Sequence, residues 1–232
     1  MTTKKSIFLI GANPDDFNDI TYRSLSSVKK SDCIVISKVF KNSFLKILKQ
    51  FDIPIFFEEK ISRDEKDQEN LWKNMELLFE KYNRIAHVKK NDPIIFNDGI
   101  KEFNYFKERF KVEFQPGIIN VVSFLNKLKI SLTDRRLNSV VYFYDFINED
   151  LNLDFSSLKF EKVILRINET INDKQLFGNL NKLKLRYEIS ILFFEDNLLF
   201  NIFDESSKEQ IKHNLCKKNN VFLIFNKKNE TI

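Results

Sequence analysis

The sequence predicts an α/β protein of two lobes, with a mostly parallel sheet in the N-terminal lobe and a mixed sheet in the C-terminal lobe. Through the first half of the chain, short apolar runs alternate with amphipathic helical runs, the crossover pattern that parallel strands need. Gln115-Pro116-Gly117 breaks this pattern, and Asp196-Asn197 is a hairpin signal in the second half. We therefore expect an N-terminal lobe over residues 1–115 and a C-terminal lobe over 116–232.

The elements of the first lobe follow from its apolar spacing. Apolar runs bounded by turn residues predict strands at 7–10, 33–36, 53–57, 85–88 and 112–114. Helical spacing predicts the connections between them, with apolar faces within 17–28, 44–48, 71–82 and 103–110. Asp16 or Asp19 is the expected N-cap of the first helix.

The second lobe begins with a helical run through Val121 and Leu125. Its predicted strands lie at 140–144, 163–167, 189–194, 198–203 and 221–225. We expect a polar loop over 148–157, a helix through 176–183, and a helix capped by Ser206 that runs to Leu215.

The cysteine and histidine usage excludes several kinds of site. Cys33 and Cys216 are far apart, and neither clusters with His87 or His213. This arrangement makes neither a disulfide framework nor a zinc site, so we expect no metal. We expect both histidines to occupy structural or surface positions.

Charge and composition set broad limits on partners and location. The net charge of +5 suits anionic partners, but scattered basic residues also serve solubility, which we favour on charge alone. No apolar run is long enough to span a bilayer, and the first strand-like run lacks a signal-peptide cleavage site. We expect a cytoplasmic protein with no nucleic-acid or membrane partner. With 25 Phe and only 4 Gly, the composition fits an AT-rich coding sequence, which disfavours glycine.

Turn-forming segments follow the predicted strands at the edge where open α/β sheets bind ligands. They are 11–16 after the first strand, 91–93 after the fourth, 115–120 before a helix, and 132–136 before the next strand. Any one of them is an ordinary turn. Their order and flanks carry more information.

In that order the segments resemble the tetrapyrrole methylase family, and within it the enzymes that methylate uroporphyrinogen III. The family's opening hydrophobic-Gly-x-Gly-Pro-Gly-Asp matches 10–16, and its Arg-Leu-Lys-Gly-Gly-Asp-Pro-x-x-Phe-Gly-Arg-Gly-x-Glu-Glu matches 87–102. Its Val-Pro-Gly-hydrophobic-Thr-Ser/Ala matches 115–120, and its Gly-Ile-Pro-Leu-Thr-His-Arg matches 129–135. The resemblance covers 6–144 best.

The resemblance implies S-adenosylmethionine bound between two α/β lobes of a homodimer, with S-adenosylhomocysteine as product. The positions that contact the cofactor fall on Pro14, Lys90, Asn91, Asp92, Ile95, Ile119, Asn120, Ile167 and Asn197. Backbone amides at strand ends would hold the cofactor carboxylate, and Asp92 would face its ammonium group. Ile95 and Ile119 would pack on the adenosyl part.

The implied reaction is C-methylation of uroporphyrinogen III to precorrin-2, on the route to sirohaem or cobalamin. Ser37 stands where the family has an aspartate assigned as proton acceptor, and Lys60 aligns with a lysine assigned as proton donor. The cations expected to meet the carboxylates of this anionic tetrapyrrole are Arg135, Arg136, Lys38, Lys60 and Arg23.

The chain departs from the family motifs at the glycines. Asn13 and Asp15 replace two glycines of the first motif, and Lys90-Asn91 replaces the Gly-Gly pair. Because Asn tolerates the left-handed conformation, we expect Asn13 and Asn91 to preserve these turns with positive φ. Lys90 puts a side chain where the family brings backbone close to the cofactor.

Three functions remain open from the sequence. The first is methylation of uroporphyrinogen III, and the second is methylation of a later corrin precursor, an RNA or a modified histidine on the same fold. The third is a homologue without catalysis that serves as a binding or dimerisation partner, which Lys90 and Ser37 favour. Lys90 places a side chain close to the cofactor position, and the hydroxyl of Ser37 is a weaker base than a carboxylate.

Overall fold

A computed structural model provides the fold. It describes residues 5–58, 65–95, 98–131, 141–145, 162–166, 177–178, 180–181, 187–193, 198–202, 204–215 and 221–227. The chain divides into two compact units, Met1–Ser123 and Phe124–Ile232. The predicted boundary at residue 115 stays a prediction. The predicted loop at 148–157 and half of the residues of the predicted helix at 176–183 lie outside the described residues.

The first unit contains a five-stranded parallel sheet with the strand order β3-β2-β4-β1-β5. The strands are β1 (Ser6–Ala12), β2 (Cys33–Ile36), β3 (Ile55–Phe57), β4 (Arg84–Lys90) and β5 (Lys111–Gln115). The helices are α1 (Tyr22–Lys29), α2 (Asn42–Leu48), α3 (Glu65–Leu78) and α4 (Gly99–Phe106), and α5 (Asn120–Lys127) begins in the first unit and ends in the second. The predicted parallel sheet is confirmed.

Apolar side chains of the strands point toward both faces of this sheet, so helices cover both faces. Val28 of α1 and Phe44 of α2 pack with Ile10 on one face. Trp72 of α3 and Phe106 of α4 pack with Ile7 on the other. β1, the strand between β4 and β5, is buried along its whole length.

The predicted first helix is shorter than its apolar spacing suggested. Phe17–Asp19 forms a 3-10 turn capped by Asp16, and α1 starts only after Thr21, whose hydroxyl accepts the backbone N–H of Ser24. Thr21 therefore caps α1, and the prediction of Asp16 or Asp19 as that cap is wrong. An apolar period cannot distinguish one helix from a 3-10 turn followed by a helix.

The second unit contains a five-stranded mixed sheet with the strand order β6-β7-β10-β8-β9. The elements are β6 (Val141–Asp145), β7 (Lys162–Arg166), β8 (Tyr187–Phe193), β9 (Leu198–Asn201), α6 (Lys208–Leu215) and β10 (Val221–Lys227). β6 and β7 are parallel and the other pairs are antiparallel, as in the predicted hairpin of β8 and β9. The predicted mixed sheet is confirmed. No helix among the described residues is long and apolar enough to cross a membrane.

Candidate functional site

The candidate site lies where the connections after β1 and β4 leave neighbouring strands toward opposite faces of the sheet. α1, which follows β1, packs on the face that includes Ile10, and α4, which follows β4, packs on the face that includes Ile7. Such a divergence opens a crevice at the carboxyl ends of the two strands, where open α/β sheets bind their ligands. The loops at 11–16 and 91–98 border this crevice.

Three loop backbones meet there at Gly11, Asn91 and Gly117. A Cβ on Gly11 would lie 2.6 Å from the nitrogen and 2.7 Å from the Cα of Gly117, and a Cβ on Gly117 would meet Gly11 as closely. Either Cβ would also clash with the carbonyl oxygen of Asn91. These two glycines are therefore required by packing in a chain that has only 4.

Asn91 joins the loops through both its backbone and its side chain. Its φ is 65°, in the left-handed region that Asn tolerates. Its N–H donates to the carbonyl of Ala12 (2.7 Å), and its Oδ1 accepts from the N–H of Asn120 (2.9 Å). The side chain is buried, so this hydrogen bond is protected from water. Asn91 thus connects the ends of β1 and β4 to the start of α5.

Asn13 preserves its turn in a different way from the one expected. Its φ is not positive, so the prediction of a left-handed Asn13 is wrong, whereas that for Asn91 is confirmed. The buried side chain of Asn13 donates to Asp19 Oδ2 (2.6 Å) and accepts the N–H of Asp15 (3.0 Å). Two hydrogen bonds here hold the loop in shape.

The carboxylate of Asp92 is engaged with backbone. Its Oδ1 accepts from the N–H groups of Ile94 (2.9 Å) and Ile95 (3.3 Å), and its Oδ2 accepts from the N–H of Gly117 (3.1 Å). A carboxylate offers about four acceptor positions, so these contacts use most of its capacity. Asp92 therefore holds the 91–98 loop against the Pro116-Gly117 turn.

Asn120 carries a buried side-chain amide that no described residue satisfies. Its side chain is 0% exposed, and neither its Oδ1 nor its Nδ2 has a hydrogen-bond partner among the described residues. An unpaired buried amide costs on the order of 1–3 kcal/mol, and such a group is commonly satisfied by water, an ion or a ligand. Because its backbone N–H is held by Asn91, Asn120 lies at the meeting point of the loops.

A further set of hydroxyls fixes the Pro116-Gly117 turn, and motif reasoning did not identify it. The carbonyl of Pro116 accepts from Thr21 Oγ1 and Ser24 Oγ, each at 3.1 Å. Ser123 Oγ donates to Asp19 Oδ2 at 2.5 Å. The usable signal was Thr21 three residues before Ser24, an N-cap spacing. It identifies a cap but not the distant carbonyl that the cap also holds.

Other predicted cofactor residues in the described part of the chain lie at the same edge of the sheet. Pro14 is buried and its carbonyl accepts from the N–H of Lys41 (3.0 Å). Lys90 is half-buried at the end of β4, Ile95 is half-buried in the loop after it, and Ile119 is buried before α5. The loops therefore bring Pro14, Lys90 and Ile119 to one region.

The predicted catalytic and substrate residues are placed less completely. Ser37 is half-buried directly after β2, and Lys38 beside it is exposed. Arg23 is exposed in the first turn of α1. The remaining predicted site residues lie outside the described residues and stay predictions: Lys60, Arg135, Arg136, Ile167 and Asn197.

A buried ionic network joins β4, α4 and Glu58, the residue after β3. His87 is 0% exposed, with its Nδ1 2.5 Å from Glu102 Oε1 and its Nε2 2.5 Å from Glu58 Oε1. Lys89 Nζ donates to Glu102 Oε2 at 2.6 Å. Two carboxylates thus face two cations, which balances the charge of this region.

The pKa values in the network favour the charged forms. Burial by itself would lower the pKa of His87, but the charge of Glu102 and the hydrogen bonds to both carboxylates raise it. Burial would raise the pKa of Glu102, yet His87 and Lys89 hold that pKa at about 2. Burial would likewise raise the pKa of Glu58, but the hydrogen bond from His87 and the charge of His87 outweigh it, so that pKa is lowered. The structural position expected for His87 is therefore an ionised one.

The fold and the site together define a class: an α/β protein whose strand-end loops meet beside the buried amide of Asn120, which has no hydrogen-bond partner among the described residues. Residues 6–167 match the model of the Tetrapyrrole (Corrin/Porphyrin) Methylases, and the chain belongs to this family. Members of the family use S-adenosylmethionine.

Relatives in sequence are distant. The siroheme synthase of Pseudoalteromonas atlantica is 28% identical over 159 residues, covering 67% of this chain and 34% of that protein. The uroporphyrinogen-III C-methyltransferase of Sinorhizobium sp is 24% identical over 141 residues, covering 60% of this chain and 50% of that protein. The chain therefore spans about a third to a half of the length of these curated relatives.

Solved structures match the fold over nearly the whole chain. Cobalt precorrin-4 methyltransferase, a cobalamin biosynthetic enzyme, has a TM-score of 0.71 at 13% identity and covers 95% of this chain and 94% of its own. The uroporphyrin-III C-methyltransferase of Thermus thermophilus, complexed with S-adenosyl homocysteine, has a TM-score of 0.64 at 15% identity and covers 95% and 97%. At such identities the likeness establishes the fold.

Proposed function

We propose that this protein binds S-adenosylmethionine at the crevice between β1 and β4 and methylates uroporphyrinogen III to precorrin-2. The observation that carries the proposal is the buried amide of Asn120, unpaired at the point where the loops of Gly11, Asn91 and Gly117 meet. Family membership supplies the class of ligand and reaction.

The residues present fit this cofactor. The Asn120 amide can donate and accept one hydrogen bond or more, as a nucleoside or an amino-acid group requires. Ile95 and Ile119 offer apolar surface beside it, and Lys90 brings a positive charge to the same edge of the sheet. S-adenosylmethionine supplies an already activated methyl group, so the protein contributes mainly binding and orientation.

The substrate is proposed to be held by cations at the rim. Lys38 and Arg23 are exposed on the segments after β2 and β1, where they can reach carboxylates of a tetrapyrrole. The loop that carries Lys38 is joined to the first loop by the hydrogen bond from Lys41 to Pro14 and by an ion pair between Lys41 and Asp15 (3.1 Å). A homodimer is part of the proposal, and light scattering of the purified protein tests it.

Asn120→Ala tests the cofactor site with little risk to the fold. Because the amide has no partner among the described residues, its removal leaves none of their buried groups newly unpaired, and we expect an unchanged or higher thermal stability. We expect the affinity for S-adenosylhomocysteine, measured by calorimetry, to fall at least about tenfold through loss of ligand hydrogen bonds. Asn126→Ala, on the exposed side of the same helix, is the matched control and retains full affinity.

Two results contradict the proposal at different levels. Absence of binding of both S-adenosylmethionine and S-adenosylhomocysteine at millimolar concentration rejects the cofactor. Full affinity in Asn120→Ala means that the cofactor lies elsewhere. If the cofactor binds, uroporphyrinogen III should yield a dimethylated product, and its absence favours another substrate on the same fold.

A second candidate, a homologue that binds the cofactor without catalysis, is favoured by Ser37. The hydroxyl of Ser37 accepts the N–H of Val39 at 3.5 Å, a weak turn contact, and supplies no carboxylate at this position. Cofactor binding without turnover of any tetrapyrrole is the result that supports this candidate.

A further inference from the structure

We propose that His87 is a positioning residue, whose imidazolium holds Glu58 at the end of β3 and residues 91–95 after β4 in place and so makes ligand binding dependent on pH. His87 is remote from the reacting atoms in this role and acts through Glu58 and Glu102. The effect on ligand binding rests on the proposed function, whereas the effect on stability does not.

The protonation state of His87 determines how many hydrogen bonds its ring can donate. A neutral imidazole has one N–H donor and an imidazolium has two. Both nitrogens of His87 lie 2.5 Å from carboxylate oxygens, of Glu102 and Glu58. Two ionised carboxylates are both satisfied only when the ring is protonated, and the lowered pKa values of Glu58 and Glu102 support their ionised forms.

The network connects the residue after β3 with the two elements that flank the loop after β4. Glu58 directly follows β3, and its backbone N–H donates to the carbonyl of Ile36 at the end of β2 (3.0 Å). Glu102 lies in α4, which begins where the 91–98 loop ends, and Lys89 lies just before that loop. The network therefore joins both sides of the candidate cofactor loop to the neighbouring strand end.

When the His87 ring becomes neutral, one of its two hydrogen bonds to a carboxylate is lost. Glu102 keeps a second cation, Lys89, at 2.6 Å. Glu58 has His87 as its side-chain partner among the described residues. The neutral ring therefore keeps its donor toward Glu102 or Glu58 but not both, and release of Glu58 costs less.

The groups that face His87 from the packed elements are the charged side chains of Glu58, Glu102 and Lys89 and a set of apolar side chains. Leu9 of β1 and Val35 of β2 are its neighbours in register. α3 contributes Trp72 and Met75 to the core on the same face. The side chains of His87 and Glu102 are fully buried and that of Glu58 is 13% exposed, so solvation offsets little of the loss of one proton.

The direction of the pH dependence follows from the network. Since the pKa of His87 is raised, the stabilisation is fully present below the unfolded value near 6.5 and is lost as pH rises through the folded value. Glu58 and Glu102 have lowered pKa values, so their part is present above their unfolded values and is lost only on acidification.

Glu58→Gln is the sharpest variant because it nearly preserves shape. The amide of this variant can donate to a neutral His87 nitrogen, so both ring nitrogens have a hydrogen-bond partner without protonation of the ring. His87→Arg, the residue that the family motif has here, keeps a cation at every pH and presents a fork to two carboxylates. His213→Gln, at the chain's other histidine, which is exposed on α6, is the matched control.

The experiment is a thermal-unfolding series between about pH 6 and about pH 10, with S-adenosylhomocysteine affinity measured across the same range. We expect the wild type and His213→Gln to lose stability as pH rises, with affinity falling roughly tenfold, a typical coupling between sites. Glu58→Gln should lose this pH dependence, and His87→Arg provides an independent second test. A pH profile in Glu58→Gln equal to that of the wild type overturns the proposal. pH-dependent stability without ligand binding at any pH retains the network and rejects the proposed function.

Discussion

The side-chain oxygen of Asn91 accepts a hydrogen bond from the backbone N–H of Asn120 at 2.9 Å, so a residue at the end of β4 holds the start of α5. Asn91 does this from a backbone with φ of 65°. Asn91 therefore forms the left-handed turn with its backbone and fixes the start of the helix that carries the Asn120 amide with its side chain.

Substitution of Asn91 separates these two contributions. Asn91→Gly keeps the left-handed backbone but leaves the buried N–H of Asn120 unpaired, at a cost of about 1–3 kcal/mol in the free energy of unfolding. Asn91→Ala in addition leaves in the left-handed region a residue without the side-chain amide that lets Asn tolerate it, which adds up to about 1–2 kcal/mol. Urea unfolding of both variants measures the difference. Equal stabilities would show that the backbone conformation contributes nothing.

The paired glycines predict a strong steric effect. Gly11→Ala and Gly117→Ala each place a Cβ within 2.7 Å of the opposite backbone, which cannot move as a side chain can. We expect each to lower the free energy of unfolding by at least about 1–3 kcal/mol. Gly178→Ala is the matched control, because a Cβ there meets nothing within 4 Å. A neutral Gly117→Ala would mean that the loops do not approach as described.

The Glu102 carboxylate predicts both a mutational and an acid effect. Glu102→Gln leaves His87 and Lys89 with less compensation in a buried region and should destabilise the protein by about 3–5 kcal/mol near neutral pH. Because the pKa of Glu102 is held at about 2, its stabilisation is present above the unfolded value and is lost only as pH falls through that range. Chemical denaturation at several pH values measures this, with Glu113→Gln, at a partly exposed carboxylate paired with Lys111, expected to change little. A mild Glu102→Gln would indicate that the network is not ionised.

Cys33 predicts a protected thiol. Its side chain is buried in β2, and burial raises the pKa of the thiol to about 12, with Asp32 adding to the shift. Thiolate is the reactive form, so in a Cys216→Ser background we expect labelling of native protein at pH 8 to be at least about a thousandfold slower than in denaturant. Rapid labelling of the native protein would contradict the burial of β2.

Much of the first unit could be predicted from the sequence. Strand β2 was predicted with the observed bounds, because Cys33–Ile36 is a short apolar run between polar turns. The helices α3 and α4 ended earlier than their apolar faces suggested, since Tyr82 and Phe110 pack on the core from the turns that follow. Apolar spacing identifies what is buried and does not determine where a helix ends.

The candidate site was predictable as a set of loops but not as a set of contacts. Motif order pointed to Pro14, Asn91 and Asn120, which the fold brings to one edge of the sheet. It did not reveal that Asp92 holds three backbone N–H groups or that Asn13 uses its side chain in place of a left-handed backbone. Hydrogen bonds across 25 or more residues depend on where the partner loop lies, which no local pattern contains.

The sequence by itself determined the alternation of strands and helices, the parallel first sheet and the retention of Gly11 and Gly117 in a glycine-poor chain. Periodicity and turn chemistry are local properties, so they can be read along the chain. Only the tertiary structure decided that both ring nitrogens of His87 face carboxylates and that the amide of Asn120 has no partner among the described residues. Protonation and hydrogen-bond satisfaction depend on which groups, distant in sequence, share a buried volume, and Glu58, His87 and Glu102 meet only in the folded sheet.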